Sequence, residues 1–346
     1  MKVIINKPKV PIIWLDTFVI LWLKKLKYHE IIDDKNPSNE RDIRIKLENL
    51  YNVIYKKVRE RKLICPQGEQ DSEIELKSDK DHLEKCLKIQ NKLSLGIKFV
   101  PGSWIKKNQM EHMMKSYIKG EKCVNINYKN AFPRGTINEL ENKKYSTVSV
   151  NIIPSKNLIS KRKHSKNLTN EQLEEIRQKT VSAGFTFEQQ LSIEYEGIIK
   201  TLLIELPKIM SRIYSDHAIP GDFDKLNVIS EPYELWENFH KKSEENKPKL
   251  LNELVKFFKS EYYKSIPYVY IFCNLMSEVI TRKSAIKSGD CMDIVHLSAV
   301  IPYCKYVITD RKMKAAIKRR KIDTKYKANI YCKKDFDQLF KILEKL

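Results

Sequence analysis

Acidic residues follow short apolar segments at three places in this chain. Asp16 comes directly after Val10–Leu15, and Asp310 comes directly after Lys305–Thr309. Both segments are rich in apolar and β-branched residues, which is typical of buried strands in a parallel sheet. A third such segment, Lys62–Cys65, is followed after a short turn by Glu69, Glu73 and Glu75. The ends of these predicted strands are where we expect the chemistry of this protein.

Two more acids, Asp290 and Asp293, open a predicted helix just before the strand that ends at Asp310. Each also has a structural explanation, because Asp290 can cap the helix and Asp293 suits its macrodipole. Ligands of open parallel sheets bind at the carboxyl ends of the strands, near the point where strand order reverses. Neighbouring strands would gather these acids at one edge, and like charges there need a cation. Oxygen ligands favour Mg²⁺ or Mn²⁺, so we predict such a site.

The elements that must position these acids alternate between strand and helix. Apolar residues recur at helical spacing in Thr17–Lys27, in Arg44–Arg61 and in Asp79–Leu95. Near the end of the chain we predict a helix at Tyr268–Ala285, a basic helix at Arg311–Arg320, an edge strand at Ala328–Cys332 and a last helix at Asp335–Leu343. This alternation predicts an α/β fold with a parallel sheet covered by helices.

The middle of the chain has a different pattern. Thr169 and Gln172 form a capping-box start, and apolar residues then recur at helical spacing to Tyr214. Another helix is predicted at Lys249–Tyr262, and the Lys-, Ser- and Asn-rich segment Asn151–Lys166 is predicted to be a boundary loop. We therefore expect residues 1–150 and 266–346 to form one split α/β domain, with residues 151–265 as a helical insertion.

The segment from Gly289 to Met313 resembles the C-terminal half of a PIN-like nuclease domain. It has an Asp that opens a helix of apolar and small residues, then a strand that ends in Thr309-Asp310. The N-terminal mark of that family, an apolar strand followed at once by Asp, matches Ile12–Asp16. The family's second acid, usually Glu, follows the second strand; Glu73 is our preferred match, with Glu69 and Glu75 as alternatives. The resemblance covers roughly residues 8–95 and 265–346.

The resemblance implies a three-layer α/β/α fold with a parallel central sheet, here with a mostly helical insertion. It also implies an endonuclease, a metal-dependent hydrolase of phosphodiester bonds, most often in RNA. The implied metal and catalytic residues are Asp16, Glu73, Asp293 and Asp310, which would hold one or two Mg²⁺ or Mn²⁺ ions, with Asp290 as an auxiliary ligand. His296, one turn after Asp293, is expected to be a packing histidine rather than a general acid.

The chain carries 65 Lys and Arg against 44 Asp and Glu, a net charge of +21, which indicates an anionic partner, either nucleic acid or an acidic membrane surface. The positions of the acids favour nucleic acid over a membrane. We expect phosphate contacts from Arg311, Lys312, Lys318, Arg319, Arg320 and Lys321, and from a second cluster of Lys161, Arg162 and Lys163. The alternative is that both clusters are solvated surfaces. Tyr303 and Tyr306 could stack on bases, although a tyrosine in a strand also fits the core.

Two alternatives to an endoribonuclease remain open. One is a nucleic-acid-binding or assembly protein with a PIN-like fold and no activity, and the other is a DNase with the same site. The apolar stretch Val10–Leu23 contains Asp16 and is too short to span a bilayer, and seven cysteines without a Cys-x-x-Cys motif suggest buried thiols. We therefore expect a cytoplasmic protein, with a protein partner or a second copy bound through the helical insertion.

Overall fold

The chain is a mixed α/β protein in which helices predominate and the strands form small parallel sheets. The structure, a computed structural model, describes residues 1–32, 40–70, 74, 80–133, 136, 156–215, 217, 219, 222–240 and 247–346. Its strands are β1 (Lys2–Asn6), β2 (Ile13–Leu15), β3 (Cys123–Asn127), β4 (Tyr306–Ile308) and β5 (Asn329–Tyr331). This confirms the predicted α/β class.

The helices fall into three groups along the chain. The first group is α1 (Thr17–Lys27), α2 (Glu40–Arg59), α3 (Lys80–Ser94) and α4 (Gly102–Ile118). The second is α5 (Lys156–Ser182), α6 (Phe187–Lys200), α7 (Leu206–Tyr214), α8 (Asp222–Phe239), α9 (Lys247–Lys259) and α10 (Glu261–Lys264). The third is α11 (Pro267–Ile280), α12 (Asp290–Val300), α13 (Arg311–Arg319), α14 (Ile322–Tyr326) and α15 (Phe336–Glu344).

The main sheet has the order β2-β4-β5, and all three strands are parallel. A parallel bridge joins Ile12 to Ile64 on the far side of β2, and another joins Gln67 to Lys98. The segment predicted as the strand Lys62–Cys65 is therefore a short parallel neighbour of β2. After β2, the chain adds the segment around Ile64 on one side of β2. Later it adds β4 and then β5 on the other side of β2. Strand order thus reverses between β2 and β4.

Apolar side chains of the main sheet alternate between two cores. Trp14 and Val307 belong to one cluster, which includes residues of α4, α11, α12 and α13. Leu15 and Ile308 belong to the other, which includes residues of α1, α2, α3 and α15. Strand residues point alternately to opposite faces, so apolar residues at consecutive positions require a sheet covered on both sides. This explains why β2 and β4 are apolar at every position.

The helical middle shares the first core with the sheet. Tyr195, Trp236 and Phe257 from this part of the chain lie in the same apolar cluster as Trp14. The buried face of these helices therefore packs onto the α/β part rather than enclosing a core of its own. No helix of the described ranges is both long and apolar enough to cross a membrane.

Two predictions for the middle of the chain were wrong. Residues 156–166, predicted as part of a loop, belong to α5, which begins at Lys156. That stretch contains Lys, Leu and Arg but no Gly or Pro, so it favours a helix despite its polarity. The helix start predicted at Thr169 lies inside α5, and the helical segment predicted from there to Tyr214 is divided, because α5 ends at Ser182. Gly184 has a φ of +68° and Thr186 forms a capping box with Gln189, so one helix stops and another begins.

The pair of strands β1 and β3 was not predicted. Val3 pairs with Val124 and Ile5 with Ile126 in a parallel two-stranded sheet. The signal for β1 was present as the apolar run Val3–Ile5, but its partner lies about 120 residues away in the chain. A contact of that separation leaves no trace in local periodicity.

Candidate active site

Asp16 lies at the carboxyl end of β2 and precedes the first residue of α1. Its side chain is only 7% exposed, and one carboxylate oxygen, Oδ2, accepts a hydrogen bond of 2.9 Å from the hydroxyl of Thr309. It occupies the N-cap position of α1 without a capping bond from its side chain. Helix capping therefore does not explain why an acid is buried at this position.

Asp310 occupies the corresponding position after β4 and before α13. Its Oδ1 accepts hydrogen bonds from the backbone N–H groups of Lys312 at 2.5 Å and Met313 at 3.1 Å. These bonds satisfy donors that have no partner within the helix, so Asp310 has a structural role as N-cap. Both capping bonds end on one oxygen, and a carboxylate has acceptor sites on two.

The sheet register brings these two acids to the same edge. Leu15 stands opposite Ile308 in the parallel pair β2–β4, and the backbone N–H of Asp16 donates to the carbonyl of Ile308 at 3.1 Å. Asp16 therefore lies beside Thr309, the residue that precedes Asp310. This edge is the carboxyl edge of the sheet at the place where strand order reverses, which is where ligands of such sheets bind.

Asp293 lies in the first turn of α12, on the face of the sheet that carries Trp14. His296, one turn later, packs edge-on against the Trp14 ring, with ring centres 6.3 Å apart. His296 is 4% exposed, which agrees with the predicted packing role. Asp16 has an extended backbone and follows Trp14 by two residues, so the two side chains point to the same face. Asp16 and Asp293 thus lie on one side of the sheet, but within the described ranges they do not join Asp310 in a group that could hold a metal ion.

Among the three glutamates that follow Lys62–Cys65, only Glu69 is described. Its carboxylate accepts a 2.9 Å hydrogen bond from the backbone N–H of Gly102 at the start of α4. It also lies near Tyr268, whose pKa is raised by burial and by the charge of Glu69. Glu69 is therefore tied to a helix start rather than to the strand edge. Glu73 and Glu75 lie outside the described residues.

The turn that contains Glu69 is held against β2 by hydrogen bonds and packing contacts that the sequence did not predict. Gln70 donates from its side-chain amide to the carbonyl of Leu15 at 2.8 Å and accepts from the N–H of Gly68 at 2.7 Å. A Cβ at Gly68 would lie 2.5 Å from the Trp14 ring, so the turn packs too closely for another residue. Gln70 thereby fixes the backbone directly before Asp16.

Asp290 is engaged in an ion pair, which does not suit the predicted role as auxiliary metal ligand. Its carboxylate contacts the guanidinium of Arg282 and accepts a 2.7 Å bond from the N–H of Lys287, and the residue is 2% exposed. Arg282 also donates to the carbonyls of Ser284 and Ala285. The acid closes the loop before α12, and these contacts give it a structural role.

No group of three or more His, Cys, Asp or Glu side chains that could hold a metal ion occurs within the described ranges. Asp16 and Asp310 provide oxygen donors at one edge, and oxygen is the ligand type that Mg²⁺ and Mn²⁺ prefer. A complete ion site would need at least one donor from the part of the chain outside those ranges. Glu73 is the predicted donor of that part.

The predicted basic surface divides into two groups. Arg319 and Arg320 both pair with Glu278 of α11, at 2.5 and 2.6 Å, and Arg320 also lies over the Phe187 ring at 3.3 Å. Arg311, Lys312, Lys318 and Lys321 are exposed on and beside α13. Lys161, Arg162 and Lys163 lie on α5, but their side chains are outside the described part. Of the exposed members, Arg311 and Lys312 follow directly on Asp310.

The tyrosines predicted as stacking candidates are both buried. Tyr303 is 1% exposed, its hydroxyl accepts a 2.8 Å bond from Gln109, and burial raises its pKa to about 12. Tyr306 is 3% exposed within β4. Neither can stack on a base without leaving the core. An exposed aromatic does occur beside the Glu69 contact, since Trp104 in the first turn of α4 is 63% exposed.

The comparisons with known proteins leave the family open. No family model, no curated protein and no solved structure matches this chain.

Proposed function

We propose that this protein is a metal-dependent nuclease with a PIN-like, three-layer α/β/α fold, and that RNA is its main substrate. The observation that carries the proposal is the placement of Asp16 and Asp310 after neighbouring parallel strands, at the point where strand order reverses. The two apolar cores on opposite faces of the sheet agree with three layers. The motif resemblance of Gly289–Met313 supplies the reaction class.

The burial of Asp16 supports a role for this acid in chemistry. A carboxylate with so little exposure to water needs hydrogen-bond partners within the protein. Thr309 provides a hydroxyl donor that also fixes the orientation of the carboxylate. Gln70 holds the preceding carbonyl, so the backbone beneath the acid is rigid. Side chains held in this way keep a constant geometry during a reaction.

Asp16 and Asp310 would provide oxygen donors to the divalent ion together with Glu73. We leave Asp290 out of this set because of its pairing with Arg282, and Asp293 because it does not form a metal-holding group with Asp16 and Asp310 in the described part of the chain. When bound, the ion would supply positive charge that offsets the charge of the phosphate and activates water. The exposed side chains of Lys312 and Lys318, which follow Asp310 on α13, would contact the phosphate backbone of the substrate.

A series of substitutions at Asp310 separates its two roles. Asparagine caps helices as well as aspartate does, whereas alanine does not cap. We expect Asp310→Asn to abolish cleavage with Mg²⁺ or Mn²⁺ while thermal stability stays unchanged. Asp310→Ala should abolish cleavage and also lower the free energy of unfolding by about 1 kcal/mol. Full cleavage activity in Asp310→Asn would contradict the proposal.

A nucleic-acid-binding protein without activity is the second candidate. It is favoured by the capping bonds of Asp310 and by the ion pair of Asp290, which give both acids roles independent of catalysis. Incubation with single- and double-stranded RNA and DNA, each with Mn²⁺ or with chelator, distinguishes the candidates. Binding without cleavage of any of the four supports the second candidate, and cleavage of DNA alone identifies a DNase.

A further inference from the structure

A cleft of about 660 Å³ lies between β1 and the segment Lys325–Lys327. Four lysines line it, namely Lys2, Lys7, Lys325 and Lys327. None of the described lining residues is acidic. Its volume is in the range of pockets that hold a ligand of nucleotide size. The cleft is therefore large enough for a small anion and has the charge to attract one.

This cleft lies at the opposite edge of the main sheet from Asp16 and Asp310. The ammonium of Lys7 donates to the carbonyl of Cys304 at 2.7 Å and to that of Lys327 at 3.2 Å. Cys304 and Lys327 each precede a strand, β4 and β5 respectively, so both carbonyls mark the amino edge of the sheet. The cleft is separate from the candidate active site and does not depend on its function.

Two of the lysines are held in place by the protein. Lys7 is fixed by its two carbonyl partners, and the ammonium of Lys325 lies 3.2 Å from the centre of the Tyr270 ring. Partial removal of the two ammonium groups from water lowers the pKa of both to about 8, because it disfavours the charged form. The charged and titratable groups that act on them are Glu261 for Lys325, and Cys304 and Lys327 for Lys7.

We propose that this cleft binds an anion that carries two or more linked phosphates. Several ammonium groups around one cavity suit a ligand whose charges are close together, and lysine binds phosphate as a point charge. Pre-positioned side chains lower the cost of ordering on binding. An isolated carboxylate would satisfy one of these lysines, whereas an oligophosphate contacts several at once.

The direct test is titration calorimetry of the full chain with inorganic tripolyphosphate. The double variant Lys325→Gln, Lys327→Gln removes two of the four charges and keeps Lys7 with its carbonyl partners. We expect this variant to bind at least tenfold more weakly than the natural protein, since it has lost two charged hydrogen-bond donors. Lys341→Gln, at an exposed position of α15, is the control and should bind like the natural protein.

The source of the phosphates is distinguished by two further ligands, ATP and a single-stranded RNA oligonucleotide without a 5′-phosphate. ATP binding that is lost in the double variant identifies a nucleotide site, and RNA binding lost in the same way identifies a second backbone contact; both agree with the proposal. Affinity should also fall from pH 7 to pH 9, as Lys7 and Lys325 lose their protons. Absence of tripolyphosphate binding, equal binding by the double variant, or binding of an acidic peptide alone would overturn the proposal.

Discussion

At the two edges of the main sheet, hydrogen bonds hold side chains of opposite charge. At the carboxyl edge, Asp16 and Asp310 accept hydrogen bonds from a hydroxyl and from backbone N–H groups. At the amino edge, Lys7 donates to two backbone carbonyls, and Lys325 lines the same cleft. Each of these acids follows a different strand, whereas the lysines line one cavity.

The direction of the strand–helix units explains this separation. The helices α1 and α13 begin directly after β2 and β4, so their N-termini, which carry partial positive charge, lie at the carboxyl edge. At the amino edge, backbone carbonyls are presented by Lys327, which follows α14, and by Cys304 in the turn after α12. Cations are favoured there because carbonyls at the end of a helix have no partner within that helix. The separation of acidic and basic side chains between the two edges therefore follows from topology and is not in itself a sign of function.

The largest expected effect concerns Asp290, which is 2% exposed and whose carboxylate pairs with Arg282. Asp290→Ala leaves the charge of Arg282 without its carboxylate, and we expect a loss of about 3–5 kcal/mol in the free energy of unfolding. Urea denaturation measures this loss. Asp81→Ala, which removes the partner of Lys85 from an exposed pair, is the control and should cost much less. Equal losses in the two variants would contradict the structural role of Asp290.

At the amino edge, Lys7 predicts a dependence of stability on pH. Its pKa is lowered in the folded chain to about 8 from the ordinary lysine value of 10.5, so the unfolded chain binds more protons between these values. The stability contributed by this group therefore rises by up to about 3 kcal/mol as pH increases from 8 to 10.5. The difference in melting temperature between the natural protein and Lys7→Met should change over this range, and parallel curves would contradict the assignment.

A smaller effect is expected for Thr309, whose hydroxyl bonds to Asp16. Thr309→Val keeps the shape of the side chain but removes the donor, and we expect a loss of about 1–2 kcal/mol in the free energy of unfolding. Thr309→Ser retains a hydroxyl and should recover most of the hydrogen-bond contribution. If the two variants are equally stable, the hydrogen bond does not stabilise the buried acid.

The smallest effect concerns the basic helix beside the carboxyl edge. Lys312→Ala combined with Lys318→Ala should reduce the slope of log affinity against log salt by about 2, because each phosphate contact contributes about one. Arg319→Ala with Arg320→Ala should change that slope less, since both side chains pair with Glu278. Filter binding of a labelled RNA at several salt concentrations measures both slopes. The reverse ranking would assign the phosphate contacts to the arginines.

Local patterns in the sequence predicted the elements of the α/β part well. The helix predicted at Thr17–Lys27 was confirmed at those residues, and the basic helix was found at Arg311–Arg319. The first of these helices has apolar residues at helical spacing, and the second begins after an N-cap residue that follows a buried strand. The break at Gly184 was also marked in the sequence, by a glycine and a following capping box, and was missed because the apolar pattern continues across it.

The contacts that define the two edges could not be predicted in this way. Thr309 bonds to Asp16 across 293 positions of the chain, and Lys7 bonds to the carbonyl of Lys327 across 320. Periodicity within an element contains no information on such partners. The ion pair of Asp290 with Arg282 is closer in sequence, but an arginine eight residues away gives no sign of its orientation.

The most direct test of the central claim, that the carboxyl edge hydrolyses phosphodiester bonds, is the cleavage rate of a labelled RNA. The natural protein should cleave it with Mn²⁺ and stop when chelator is added. Asp16→Asn, which keeps an acceptor for the hydroxyl of Thr309 but removes the charge, should be at least about 100-fold slower, a loss of about 2.7 kcal/mol in transition-state stabilisation. Cleavage by Asp16→Asn at the natural rate would contradict the account.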